Sequence, residues 1–234
     1  MPVWMDFLTP DDRKVVAGRP KRAPNGLGKK TALLLIDMQV TACGYDKPIY
    51  EQLDEYPGAC GPHAWNAIRA QQKLLAAARA AGMPVIYSKH LFRPETALPQ
   101  SAPSNKFSSL NAASEIPAEI AMQPGDLLLE KQRASCFSFT NFPLMLNNLG
   151  IDGLLVGGNS TSGCVRATCI DAGAFGIKIQ VIEEATFDRI EMSHAASLFD
   201  LQFKYCDVIS ADEALATIAA TKGGLPKPVL AKAG

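Results

Sequence analysis

Ten residues carry the most pointed chemistry in the chain: Gly157-Gly158-Asn159-Ser160-Thr161-Ser162-Gly163-Cys164-Val165-Arg166. They follow the apolar run Leu154-Leu155-Val156 and lead into a segment with helical character. A glycine-rich turn between a strand and a helix is a common seat for phosphate, because the first N–H groups of a helix are unpaired and its N-terminus is partially positive. This turn ends on a cysteine. In a first helical turn the same positive end favours thiolate over thiol, and the same N–H groups can hold an oxyanion. That is the equipment for attack on an amide or ester carbonyl. The phosphate reading lacks its signatures: neither spaced glycine motif is present and no lysine follows to meet a phosphate. A third reading is a small buried cysteine used for packing.

Chemistry at Cys164 needs partners. In open α/β sheets ligands bind beyond the carboxyl ends of the strands, so the residues expected there are the candidates. Asp37 ends the run Leu33-Leu34-Leu35-Ile36 and is either a turn residue or a general base for the thiol. Lys131 ends "DLLLEK"; it is either a surface lysine or a charge that favours the thiolate and holds the carboxylate. His90 ends another strand and is the rival base, since Cys–His pairs are the commoner way to activate a thiol. Glu183 and Glu184 close a fifth strand. His63 and His194 fall on helices and are expected at the surface.

These residues require a scaffold that gathers strand ends. Apolar runs at "TALLLID", "MPVIYS", "DLLLEK", "GLLVGG", "IKIQVIEE" and "CDVIS" alternate with helical segments beginning at Pro62, Thr140, Thr161, Glu191 and Ala211. Runs without polar alternation suit strands buried on both faces. The alternation predicts a three-layer α/β/α fold with a mostly parallel six-stranded sheet and right-handed crossovers. Trp65, Ile68, Leu75 and Ala78 form one helical stripe; Met192, Ala195, Phe199 and Phe203 form another. Residues 31–222 are expected as a single domain, 1–30 as an N-terminal extension that packs on another subunit, and 223–234 as a C-terminal tail or arm. Within the extension, Thr9 and Pro10 mark a helix start. Residues 91–125, rich in Pro and Ser, are too long for an idle loop and are expected to line a pocket. Phe92, Phe107, Phe137 and Trp65 are the aromatic side chains available to it.

Composition narrows the class of function. Basic and acidic residues balance at 23 each, which argues against a nucleic-acid binder. No apolar run approaches the ~20 residues of a membrane span. The N-terminus has neither the basic start nor the apolar stretch of a secretory signal, and the expected compartment is the cytoplasm. The six cysteines form no C-x-x-C pair and have no histidine placed for zinc, so free thiols are expected.

Together, "LLLIDMQ" with Asp37, "LEKQRASCFSFT" with Lys131 and "VGGNSTSGCVRAT" with Cys164 resemble the isochorismatase-like cysteine hydrolases, over roughly residues 30–212. The N-terminal "VWMDFLTPDDR" and the segment "EEATFDR" look most like the N-carbamoylsarcosine amidase branch, which also holds maleamate amidases. The resemblance implies a catalytic triad of Asp37, Lys131 and Cys164. It implies a cis peptide at Asn159–Ser160 and an oxyanion hole from the N–H groups of Ser160 and Cys164. Arg189 matches a position that binds a substrate carboxylate, although it could instead pair with Glu183, Glu184 or Asp188. His90 and Phe137 are further substrate-contact candidates. The nicotinamidase branch carries a metal site on a D-x-H pattern after the second strand, where this chain reads Ser88-Lys89-His90-Leu91-Phe92, so neither a metal nor any other cofactor is expected. True isochorismatases lack the cysteine, so its presence implies C–N rather than vinyl-ether hydrolysis. The implied protein is a homotetrameric amidohydrolase of a small, anionic amide or N-carbamoyl compound. The alternatives are a non-catalytic member that binds a small acid, or a hydrolase of another small amide such as biuret, ureidoacrylate or nicotinamide.

Overall fold

The computed structural model describes residues 1–20, 23–91 and 114–221. The expectations for Phe92, Phe107, much of the 91–125 stretch and the C-terminal tail lie outside the described residues.

Six strands, β1 (Thr31–Ile36), β2 (Val85–His90), β3 (Leu127–Lys131), β4 (Gly153–Gly158), β5 (Lys178–Thr186) and β6 (Asp207–Ile209), form one sheet in the order β3-β2-β1-β4-β5-β6. All five pairings are parallel. The winding reverses between β1 and β4, so a crevice opens at their carboxyl ends, the usual ligand position in such sheets. Ile36 pairs with Gly158 as the last register of that junction. Asp37 and Asn159 are therefore the first residues past the sheet on its two sides.

Every residue of β1 and β4 is buried. Because side chains alternate across a strand, β1 feeds two cores. Ala32, Leu34 and Ile36 join Phe142 and Leu146 of α4 (Phe142–Leu149), Cys169 and Ala172 of α5 (Arg166–Ala174), and Ala195 and Leu198 of α6 (Glu191–Asp200). Leu33 and Leu35 face the other side. There they meet Ala64, Ile68 and Leu75 of α3 (Pro62–Ala80) and Ala214 and Ile218 of α7 (Ala211–Ala220). The result is the three-layer arrangement expected from the alternation. Among the described residues no helix is long and apolar enough to cross a membrane.

Beyond Asp37 the chain makes a short helical turn, α2 (Val40–Cys43), before α3. Local rules set the helix ends. Thr9 caps α1 (Pro10–Gly18) in a reciprocal box with Asp12, and Ser210 does the same with Glu213 for α7. Before α1, Trp4 is buried and meets Phe199 edge-on at 6.5 Å, while the Val3 N–H donates to Glu183 Oε1 at 2.9 Å. The first residues thus pack on this chain's own α6.

Two expectations are corrected. The inward stripe of α6 is Ala195, Ser197 and Leu198; Met192 is exposed and Phe199 only half-buried. The helix continues from Leu201 to Tyr205 as a wider π turn. Strand β5 does not end at Glu183-Glu184 but runs on to Thr186. Both acids are tolerated inside it because each accepts a backbone N–H: Glu183 from Val3, and Glu184 from Ala211 at the start of α7. The strand's true end delivers Phe187, Asp188 and Arg189 to the crevice.

Candidate active site

The site is built around a buried ion pair. Lys131 Nζ donates to Asp37 Oδ2 at 2.6 Å, and both side chains are nearly inaccessible. Lys131 stands two strands from Asp37, about 10 Å across the sheet at the usual strand spacing. Its long stem crosses over β2, and Nζ also donates to the Arg133 carbonyl at 3.1 Å. Burial opposes the ammonium charge, but the Asp37 carboxylate, joined by Cys164 and Cys136, outweighs it and the lysine is pushed up to about 12.

Ser88 of β2 holds the other carboxylate oxygen: its Oγ donates to Asp37 Oδ1 at 2.7 Å. The Asp37 N–H returns a bond to Ser88 Oγ and another to the Ser88 carbonyl, each at 3.1 Å. Asp37 sits at φ 51, a left-handed conformation that aspartate tolerates better than most residues. Its carbonyl accepts from Asn159 Nδ2 at 3.1 Å, and the Asn159 N–H donates to the Ile36 carbonyl at 2.9 Å. The end of β1 and the turn after β4 are therefore locked together. Ser88 was not singled out from the sequence; a serine inside an apolar strand carries no local signal of this role.

Gly158 explains the second glycine of the turn. It adopts φ +112, and a Cβ there would stand 2.2 Å from the Ile36 carbonyl oxygen. The glycine serves close approach of β4 to β1. The Asn159–Ser160 peptide is cis. Thr161–Val165 then forms a single π turn before α5. The Ser160 carbonyl accepts from the N–H groups of Gly163 and Val165, the residues flanking Cys164.

Cys164 is half-buried, whereas the other five cysteines are buried, and all six are free. Burial pushes its thiol up to about 12; Asp37 pushes the same way and Lys131 pulls it down. The helix-end reading predicted a ready thiolate. The folded site instead favours the thiol, because desolvation and the Asp37 charge outweigh the positive groups. The charges acting on Cys164 are those of Asp37 and Lys131, which brings the three residues together. His90, the rival base, pairs with Lys131 across β2 and β3 and is held by Gln39, which accepts the His90 N–H at 2.8 Å. Burial, then Lys131, hold its ring below the ordinary histidine range. Cys136 lies near the same pair, fully buried, with its thiol pushed up to about 11 chiefly by burial.

The outer side of the turn that bears Cys164 is tied to residues not expected to matter. Asp188 Oδ2 accepts from the Ser162 N–H at 2.8 Å and from Ser162 Oγ at 2.7 Å. His194 was expected at the surface, but its Nδ1 lies 2.8 Å from Oγ1 of the fully buried Thr161. Burial holds this ring too below the usual range. Arg189 is exposed, and its guanidinium lies against the turn at Gly58, where a Cβ would stand 3.7 Å from Nη2. None of its three candidate partners takes it: Glu183, Glu184 and Asp188 accept backbone N–H groups instead. Among the described residues Arg189 makes no ion pair.

Phe137 is placed elsewhere. Its ring is buried in the core, stacked on Phe175 at 4.9 Å and edge-on to Phe142 at 5.0 Å. Trp65 donates its indole N–H to the Gly44 carbonyl at 3.0 Å. Phe139 is 98% exposed at φ 57. It lines a cavity of about 370 Å³ with Leu91, Lys131, Gln132, Arg133 and Ser138. Among the described residues no cluster of three or more His, Cys, Asp or Glu side chains is arranged to hold a metal ion.

The chain is similar to known proteins in both sequence and fold. The chain is 32% identical over 196 residues to maleamate amidohydrolase of Pseudomonas putida, covering 81% of this chain and 87% of that protein. It is 32% identical over 196 residues to N-carbamoylsarcosine amidase of an Arthrobacter species, covering 80% and 70%. The crystal structure of N-carbamoylsarcosine amidase from Thermoplasma acidophilum superposes with a TM-score of 0.65 at 26% identity, covering 78% of this chain and 97% of that one. Residues 31–213 match the Isochorismatase domain, and the chain belongs to the isochorismatase family.

Proposed function

We propose that this protein is a cysteine amidohydrolase that cleaves the C–N bond of a small anionic amide or N-carbamoyl compound and releases ammonia. The observation that carries the reading is the buried Asp37–Lys131 pair acting on the Cys164 thiol. Because the thiol is the resting form, proton transfer accompanies attack. Cys164 Sγ bonds to the substrate carbonyl carbon while its proton passes to Asp37. The N–H groups of Ser160 and Cys164 hold the oxyanion, a type of contact worth about 3–4 kcal/mol per donor. Lys131 steadies the carboxylate and any thiolate character. As the tetrahedral centre collapses, the C–N bond breaks and Asp37 returns the proton to the departing ammonia. Water then attacks the thioester with Asp37 as base, and acid and thiol are released.

Two features support an anionic substrate. Arg189 offers a guanidinium without a carboxylate partner among the described residues. The relatives named for maleamate and N-carbamoylsarcosine act on amides that also bear a carboxylate. The proposal includes His90, half-buried beside Lys131, as a neutral substrate contact, and a cytoplasmic homo-oligomer, a tetramer, as the working form.

The test is ammonia release from maleamate, N-carbamoylsarcosine, other N-carbamoyl amino acids, ureidoacrylate, biuret and nicotinamide, with Cys164→Ser in parallel. Release that needs Cys164 and favours the anionic amides supports the reading. Release from neutral amides alone contradicts the role of Arg189. Silence with every compound, with the protein folded, favours a non-catalytic binder of small acids.

A further inference from the structure

The segment after β5 is attached to the nucleophile turn at four points. The Phe187 N–H donates to the Gly158 carbonyl at 3.1 Å, and the Thr161 N–H donates to the Phe187 carbonyl at 2.9 Å. The Asp188 carboxylate adds the other two. Oδ2 accepts from both the N–H and the hydroxyl of Ser162, two residues before Cys164. Oδ1 accepts from the Arg189 N–H at 2.8 Å. Asp188 is only 9% exposed. One rigid carboxylate therefore takes donors from the turn that bears Cys164 and from Arg189 itself. The Arg189 guanidinium, by contrast, has no ion pair among the described residues to fix it.

We propose that Asp188 is a positioning residue that sets Arg189 relative to Cys164, and so sets the separation between the carbonyl attacked and the carboxylate held. The idea rests on the reading of Arg189 as the substrate-anion contact. Selectivity would then be for short anionic amides whose two groups match that separation. An aspartate has the right reach, since its two oxygens diverge from one short stem toward two backbone segments.

The test needs no knowledge of the substrate. Cys164 is the one cysteine that is not buried, so its alkylation can be followed by mass spectrometry of its peptide. The probes are bromoacetate and 3-bromopropionate, each against its neutral amide. In each reaction the Sγ–C bond forms and bromide leaves. The readout is the acid-to-amide rate ratio for the better-matched pair, in wild type, Arg189→Met, Asp188→Asn, Asp188→Glu and Asp188→Asn/Arg189→Met.

Arg189→Met is expected to lower the ratio about tenfold, the scale of one charge-assisted contact. Asp188→Asn is expected to lower it about threefold or more, although loss of a nearby negative charge would by Coulomb's law alone raise it. Asp188→Glu keeps the charge but displaces the carboxylate, so it too should lower the ratio and stands in if the asparagine variant folds poorly. The double variant should match Arg189→Met alone. A purely structural role would slow acid and amide equally and leave the ratio unchanged. A ratio that falls with Arg189→Met but not with either Asp188 variant overturns the coupling and leaves the anion reading intact. A ratio indifferent to Arg189→Met overturns the anion reading and the coupling with it.

Discussion

At the scale of single residues, the thiol's resting state decides how the site must work. A thiol at about 12 is protonated at neutral pH. Alkylation of Cys164 in the free protein should therefore rise roughly tenfold per pH unit from neutral pH to beyond pH 9, with no plateau near the ordinary value of about 8.5. A plateau at or below pH 8 would show a stabilised thiolate and contradict concerted proton transfer. Asp37→Asn should lower kcat by about 10²–10⁴-fold, the usual range for a lost general base. Ser88→Ala removes the donor to Oδ1 and should lower kcat about tenfold with little change in KM, since a hydrogen bond to a charged group is worth ~1.5–3 kcal/mol. Steady-state kinetics separates the two parameters. Asp37, Lys131 and Cys164 were legible as candidates because each ends an apolar run or opens a helix. Ser88 and Asp188 were not, because their roles arise from neighbours 51 and 26 residues away in the chain.

At the scale of elements, the strands were legible and their order was not. Continuous apolar runs mark buried parallel strands, but nothing in β3 announces that β2 lies between it and β1. Lys131 reaches Asp37 only because its stem spans that gap. The end of β5 was misplaced because Glu183 and Glu184 look like a turn; their carboxylates accept N–H groups from distant segments. The β1–β4 junction is the most demanding of these contacts. Gly158→Ala would put a Cβ 2.2 Å from a backbone oxygen at a left-handed φ, with no side chain able to yield. It should destabilise the protein by more than about 3 kcal/mol or prevent folding. Gly157→Ala meets the Ala185 carbonyl oxygen at 3.0 Å and should cost less. Thermal melts of the two variants compare the costs directly.

At the scale of the whole molecule, the chain closes its own N-terminal segment onto the core. Trp4→Ala should cost about 3–5 kcal/mol, the range for a buried large aromatic residue. A melting temperature unchanged in that variant would mean that the first residues do not pack as described. The exposed Phe139 at the mouth of the cavity, and Ile190 and Met192 beside the segment that bears Arg189, are large apolar groups left uncovered by one chain. A tetramer of the 25.0 kDa chain is expected by light scattering; a monomer at all concentrations would remove that part of the proposal. The balance of charge argues against nucleic-acid binding as a class, but a surface that paired subunits would leave no mark in composition or periodicity. The measurement that bears most directly on the whole account is the mass of the Cys164 peptide after acid quench during turnover of an anionic amide. The account predicts an acyl adduct on Cys164, lost with Cys164→Ser together with ammonia release. Sustained ammonia release with Cys164 unmodified, and retained by Cys164→Ser, would contradict it.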